Sequence, residues 1–513
     1  MKCSATQTEK PSVSEGSSVQ YRRVLIVLAF FGAVCVYAMR VNMNVVIVSM
    51  VNHEAVRMDT KMSDCKLAST NSESAGFSPR NSTFLRNGPF AWSPKTQGVI
   101  LGAFFWGYVI TPIPGGFMAE RYGGKWLFGL GVVLTGILGM LIPIVTTKFG
   151  HEGLIGIRAL QGFCEGVTYP ALEAQLAFWI PKSERCTAIT CVHQGGFMGV
   201  VIGMLVSGKL AASDFLGGWP SVFYLFGGVT IVWFVLWVLL TSDKPEDHRF
   251  ITGREIEKIR NGLSRQKSES RRPRLPLKSI LLSAPVWAYV CTTFGFLYLQ
   301  YTLITELPTY LGTVLHFDIG NNGVYSSLPY FGAIVTSAVA AMISDFLVKR
   351  SLLRVTTVRK LFNSIAMFGS SIVLMLVVTV AGCDGQMSLI LFLIAGAIRG
   401  LAESSTGPIA IDMAPDFAGT IFGLTVTVGS FSGIIVPYVS GLLTNEVNST
   451  TNWSYSFYVA GAVGILSGIV FLVFGSADLQ PWAVEQNSSE ECRAAENDLS
   501  LRSIGTAEGG DKK

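Results

Sequence analysis

Long stretches almost empty of charge recur along the whole chain and dominate what it can fold into. Each runs roughly 20–28 residues, enough for a helix to cross about 30 Å of hydrocarbon at 1.5 Å per residue. Apolar windows give twelve candidate helices, at 24–51, 97–119, 126–147, 153–180, 187–211, 219–241, 284–310, 322–345, 359–382, 386–408, 417–443 and 455–475. The weakest separation lies between the ninth and tenth, where only Gly382, Cys383, Asp384 and Gly385 mark a turn. Of the 513 residues, 14% are charged, against about 25% in an ordinary soluble protein. The reading is an all-α membrane protein with twelve transmembrane helices. The first 23 residues are polar and the apolar run after them is too long for a signal-peptide core, so no cleavable leader is expected. A net charge of +5 does not point to nucleic acid, because the basic residues gather at span edges. Nine cysteines over this length are not a disulfide scaffold.

The basic residues also orient the chain. Of 39 Lys and Arg, only Arg40, Arg158 and Arg399 sit well inside spans. With the N-terminus cytoplasmic, 28 of the others fall on the cytoplasmic side and 8 on the outer side, as the positive-inside bias requires. Both termini are then cytoplasmic. The glycosylation sequons at Asn81, Asn448 and Asn452 lie in the first and last outer loops, where they could be used. Only Cys65 and Cys383 fall on the outer, oxidising face, which makes them a candidate disulfide.

The chain divides at its middle. Residues 242–283 form a loop with eleven bases and six acids; six spans precede it and six follow. The expected organisation is an N-terminal tail 1–23, a bundle 24–241 with an outer loop 52–96, the basic linker 242–283, a bundle 284–475, and a disordered cytoplasmic tail 476–513. An acid followed by bases recurs after spans two and eight, at Gly116–Lys125 and at Ser344–Arg350. Span five carries Gly195, Gly199 and Gly203, and its counterpart, span eleven, carries Gly419, Gly423, Gly429 and Gly433. Glycines four apart let helix backbones approach closely. Ordinary packing and sliding seams between two rocking halves are both open readings.

Arg158 and Glu165 are seven residues apart in span four. They return to nearly the same helix face, about 10 Å further along. An arginine at the bilayer centre costs roughly 3 kcal/mol on the insertion scale, so the pair must face a cavity, a partner or a substrate. Arg40 lies past the middle of span one, with Tyr37 and Asn44 about one turn away on either side. A guanidinium stays charged at every relevant pH and can grip a carboxylate or phosphate bidentately; snorkelling to the interface is the alternative for both arginines. Desolvation and a nearby cation act on a carboxyl group in opposite senses, and their balance can set titration near neutral pH, as a proton-coupling group needs. That makes Glu165 the coupling candidate. Arg399 and Glu403, four apart in span ten, are read as a self-neutralising helix pair or as second-half contributors to substrate choice. His193 in span five is read as a helix–helix hydrogen bonder, with a proton relay as the alternative. Glu306 before Pro308 is an entrance-lining acid. The acid and bases at Glu120, Arg121 and Lys125, with Gly116 and Gly123, suit a conformational latch. There is no nucleophile–base set, metal cluster or phosphate-binding glycine loop, so an enzyme is not expected.

The G-x-x-x-[DE]-R-x-G-x-K pattern at Gly116–Lys125 resembles the loop-2/3 signature of the major facilitator superfamily. Further stretches resemble its anion:cation symporter branch, which holds sialin, the vesicular glutamate transporters and the type I sodium–phosphate cotransporters. They are Val36–Asn44, Gly102–Tyr108, Ile113–Gly116, Arg158–Pro170, Leu307–Tyr310 and Asp412–Pro415 with Ala418 and Gly419. The similarity runs in order from about residue 20 to 480 and is nearest to sialin-like members. It implies two pseudo-symmetric six-helix bundles around a central site, alternating access, and anion transport driven by H⁺, Na⁺ or voltage. By the resemblance, Arg40 and Arg158 match the family's cavity cations and Glu165 its helix-four carboxylate. Gln161 stands where sialin has a second glutamate, Leu101 where the glutamate transporters have a histidine, and Phe296 where they have a helix-seven arginine. Arg399 and Glu403 stand where small residues are usual. The expected function is H⁺-coupled symport of an organic anion such as sialic acid or an acidic amino acid. Na⁺-coupled phosphate transport is the alternative, and an anion channel or non-transporting receptor is a remoter one. The expected partners are a small anionic substrate and the bilayer of a plasma, lysosomal or vesicular membrane. No cofactor beyond the coupling ion is expected, and the chain is read as a monomer.

Overall fold

The computed structural model describes residues 20–52, 88–264, 276–414, 417–444 and 450–483. Cys65, Asn81 and Asn448 lie outside the described residues, as do residues 1–19 and 484–513 of the tails. The tail expected to be disordered from residue 476 is instead held as far as 483, where Ala477 N donates to Thr356 Oγ1 and Gln480 N to the Met413 carbonyl. Among the described residues, ten helical stretches are long and apolar enough to cross a membrane by length and composition. One of them, Gly124–Trp179, doubles back at Gly150, whose φ of +63° breaks the helix. Gly124 then packs against Ala171, and Gly131 against Cys164 and Thr168, so two antiparallel spans run through that stretch. Ala284–Tyr301 with its continuation completes twelve.

In chain order, α1 is Tyr21–Met50, and α2 is Pro94–Tyr108 continued by Pro112–Tyr122. α3 and α4 divide Gly124–Gly166 at Gly150, and α4 continues as Thr168–Trp179. α5 is Lys182–Ala212 and α6 is Trp219–Leu240. α7 is Ala284–Tyr301, a π-helical turn Thr302–Glu306, and Leu307–Thr313. α8 is Ile319–Lys349, and α9 is Val355–Leu376 with a π-helical end Val377–Ala381. α10 is Gly385–Gly400 continued by Glu403–Met413, α11 is Ala418–Ser430 continued by Ser432–Leu443, and α12 is Thr450–Phe474.

Local chemistry explains the sharp starts. Ser93 caps α2 by accepting from Thr96 N at 3.2 Å, ahead of Pro94. Asp318 caps α8 by accepting from Asn321 N at 3.0 Å. The short α9–α10 turn works because Gly382 takes φ +53° and Asp384 accepts from Gln386 N and Met387 N at 2.9 and 3.2 Å. Each cap satisfies amides that a helix start leaves bare.

Helices pack in the same pattern within each half. α1 meets α5, α2 meets α4 and α3 meets α6; correspondingly α7 meets α11, α8 meets α10 and α9 meets α12. The halves meet along α2 with α11 and α5 with α8. At the end carrying the first loop, this seam is tight. A methyl group on Gly98 would collide with the Pro437 carbonyl, and one on Gly208 would meet the Gly323 backbone. The halves are therefore sealed at the loop-one end, while at the end carrying the linker a methyl group on Gly419 or Gly423 of α11 would meet nothing within 4 Å. The glycines of α5 singled out in the sequence serve otherwise: Gly195, Gly199 and Gly203 pack on α1 inside the first half.

Candidate functional site

The site grows from three helices of the first half. Gly162 of α4 lies against the Phe104 carbonyl of α2, Gly107 of α2 lies against the Ala159 carbonyl, and Gly166 lies against Thr111. Without side chains between them, the two backbones approach closely enough to bring the Phe104 ring over the α4 face. On α5, Gly196 and Gly199 leave room for the Tyr37 ring.

Arg40 and Glu165 meet in this frame. Arg40 Nε donates to Glu165 Oε1 at 2.7 Å, and Nη2 lies 2.6 Å from the same oxygen. Glu165 is fully buried and Arg40 is 4% exposed. The guanidinium carbon sits 4.6 Å from the Tyr37 and Tyr108 ring centres and 5.3 Å from Phe104, a cage that stabilises a desolvated cation. Arg158 is also buried. Its Nη1 donates to Gln161 Oε1 at 3.2 Å and its Nη2 to the Arg40 carbonyl at 3.3 Å, with the Phe104 ring 4.9 Å away. Gln161 is aimed by its own donation to the Thr135 carbonyl at 3.1 Å. Glu165 Oε2 and Arg158 Nε are buried without a hydrogen-bond partner. Arg40 alone is bonded to the carboxylate, and Arg158 Nε remains to engage an anion.

The arginines do not snorkel, because both guanidiniums end on partners deep in the bundle. Asn44 is buried on α1 one turn from Arg40. The sequence reading named Tyr37 but missed Phe104 and Tyr108. Their signal was the aromatic run Phe104-Phe105-Trp106 with Tyr108 opposite a buried arginine.

In the second half, Arg399 is 1% exposed. Its Nη1 donates to Gln300 Oε1 at 3.4 Å, and its Cζ lies 4.9 Å from the Phe296 ring and 5.8 Å from Phe197 of the first half. No ion pair within 4.0 Å joins it to Glu403, and its Nε and Nη2 lack hydrogen-bond partners. The two are within electrostatic reach but not in direct contact, and the α-helical bonding of α10 is interrupted at Leu401 and Ala402, between them. His193 Nε2 meets Glu173 Oε1 at 3.1 Å, joining α5 to α4.

The loop after α2 is tied down within the first half. Lys125 N donates to Asp243 Oδ1 at 3.0 Å, Lys125 Nζ donates to the Val238 carbonyl at 3.0 Å, and Gly123 at φ +98° leaves no room for a side chain beside Asp243. Asp243, just beyond α6, was not evident from the sequence. Gly116 lies on the same segment, where a methyl group would touch Pro170. Arg121 is exposed over Tyr122, and the Glu120 side chain lies outside the described residues. In the second half, Arg359 pairs with Asp412 at 3.0 Å and also donates to Ser344 Oγ and the Ser404 carbonyl. Cys383 is disulfide-bonded, and Cys35, Cys164, Cys191 and Cys291 are free, so its partner lies outside the described residues. Asn452 sits half-buried near the start of α12.

A doubly repeated six-helix bundle, sealed at one end and holding buried cations between its halves, is the architecture of a multi-pass membrane transporter. Residues 29–437 match the Major Facilitator Superfamily, and the chain belongs to that superfamily. Its sequence is 36% identical over 465 residues to sialin of Ovis aries, covering 90% of this chain and 91% of that protein. It is 32% identical over 474 residues to vesicular glutamate transporter 2 of Homo sapiens, covering 92% and 76%. These similarities place it in the sialin, glutamate and phosphate transporter group. The fold matches a bacterial homologue of the human lysosomal transporter Spinster, with a TM-score of 0.64 at 14% identity, over 91% of this chain and 100% of that one.

Proposed function

We propose that this transporter carries an organic anion together with a proton, with Arg40, Arg158 and Glu165 as the shared machinery. The observation that carries the reading is the buried Arg40–Glu165 pair with Arg158 bonded to the Arg40 carbonyl. While Glu165 is ionised, it occupies Arg40. A proton on Glu165 removes that competitor and frees the guanidinium for the substrate's carboxylate. Proton and anion then favour each other's binding, which is the thermodynamic definition of coupling. Arg158 supplies a second positive charge at the same place, and the unpartnered nitrogens of Arg399 provide a contact from the opposite half. Alternating exposure follows from rocking about the seams α2–α11 and α5–α8. The tight end is assigned to the outer face and the linker end to the cytoplasm, on the excess of bases at the linker end. Sialic acid and acidic amino acids are the leading substrates, suggested by the relatives named sialin and vesicular glutamate transporter.

The test is purified protein in liposomes with an inward proton gradient, no sodium and the membrane potential clamped. Labelled sialic acid, glutamate, aspartate and phosphate are followed in parallel. Concentrative uptake of one organic acid, abolished by a protonophore and by Arg158→Ala, is the expected result. Uptake of phosphate alone, and only after sodium is added, would overturn the reading.

A further inference from the structure

α7 does not cross the membrane as a plain helix. Its π-helical turn Thr302–Glu306 shifts the register of the side chains that follow, and Pro308 comes two residues later. Such turns are costly and gather at functional positions. This one places the buried Glu306 in a small cavity at the loop-one end of the seam between the halves. Gln97 and Leu101 of α2, Thr309 of α7, Pro437 and Thr444 of α11 and Trp453 of α12 line it. The carboxyl's partners are hydroxyls: Thr305 Oγ1 donates to Oε1 at 3.0 Å, and the Ser440 hydroxyl faces it while bonded to Ser456 at 2.5 Å.

Among the described residues, no lining side chain other than Glu306 carries a charge. Val51 is what α1 presents there. The ionisable neighbour on the same helix is Tyr298. Beside the lining residue Pro94, Lys95 of α2 is exposed. An ionised carboxylate shut into this cavity would be a buried charge without a counter-ion, which is far costlier than burying the neutral acid. Were the loop-one end to open, parting Gln97, Thr309 and Thr444, water would reach the group and the cost would disappear.

We propose that Glu306 is a second proton-binding site, separate from Glu165, that must be protonated before the loop-one end can seal. Protonation and sealing then favour each other reciprocally, and the ionised form holds that end open. The inference rests on the alternating-access reading above but not on which anion is carried.

The test reads the gate rather than transport. Gln97→Cys is introduced into the full chain in liposomes, and a membrane-impermeant thiol reagent is applied from the loop-one side across a pH series. Ala91→Cys, exposed beside the same helix, normalises for the reagent's own pH dependence. The expected result is a normalised labelling rate that falls roughly tenfold from alkaline to acidic pH. In Glu306→Gln the rate is low and flat, and in Glu306→Asp the pH response returns. A wild-type-like pH response in Glu306→Gln overturns the proposal, as does a flat response in the parent carrying Glu306. A failure of proton-driven uptake in the separate liposome assay leaves this readout intact, so the two readings fail independently.

Discussion

Arg40 and Glu165 are 125 positions apart in the chain yet 2.7 Å apart in space. Removing one partner of a buried ion pair costs roughly 3–5 kcal/mol, because the other charge is left unpaired. Glu165→Gln should therefore lower thermal stability in the absence of anion, and a transported anion should restore most of the loss by taking the vacated place on Arg40. The same variant should bind anion at least as tightly as the parent and lose accumulation driven by a pH gradient. Thermal unfolding with and without anion, together with uptake at matched surface level, checks both. Intact pH-driven accumulation in Glu165→Gln would remove that residue from coupling. The aromatic cage around Arg40 was not legible beforehand. A ring three or four residues from its neighbour says only which helix face it shares, whereas Phe104 and Tyr108 reach Arg40 because glycines bring α2 and α4 together.

At the scale of elements, interruptions sit where chemistry is placed. α4 breaks just after Glu165, α10 breaks just after Arg399, and α7 takes its π-helical turn at Glu306. The interruptions in α4 and α10 occupy equivalent helices of the two halves, a pattern suited to a central binding site. They also limit what spacing can tell: an i, i+4 rule holds within one unbroken helix, and Arg399 and Glu403 straddle a break. The seam helices obey a simpler rule. Gly98 packs directly on the Pro437 carbonyl, and backbone cannot turn aside as a side chain can. Gly98→Val should cost about 1–3 kcal/mol, typical of overpacking, and only in the state sealed at the loop-one end. Substrate uptake should drop roughly tenfold at unchanged surface level, and a cysteine at Thr444 should become more reactive from that side. Unchanged uptake in Gly98→Val would show that α2 and α11 need not close so tightly.

Over the whole molecule, the conformation described is one of two that a rocking carrier must visit. Gln194 of α5 and Ser337 of α8 touch across the halves, Nε2 to Oγ at 3.5 Å. With both replaced by cysteine and joined by a short bifunctional thiol reagent, the halves cannot part along this seam. Turnover should stop while anion binding persists, and the same double variant without reagent should transport. Transport that continues with the link complete would exclude rocking about α5 and α8.

The twelve spans were decided by the sequence, because membrane insertion depends on a local sum of transfer free energies that a linear window captures, whereas their ends were not, α8 running Ile319–Lys349 against an expected 322–345. The family motifs, and Arg40, Arg158 and Glu165 as unusual intramembrane charges, were legible for the same reason: a charge inside an apolar run is costly wherever the helix lies. Partnership was not legible. That Arg40 takes Glu165 while Arg158 takes Gln161 and a carbonyl, that Arg399 rests on Phe296 rather than Glu403, and that Glu306 lies in the closed seam all depend on helix rotation, helix breaks and glycine contacts between segments far apart in the chain. Only the tertiary structure sets these, since the energy of a buried polar group belongs to the neighbours it meets and not to its own place in the sequence.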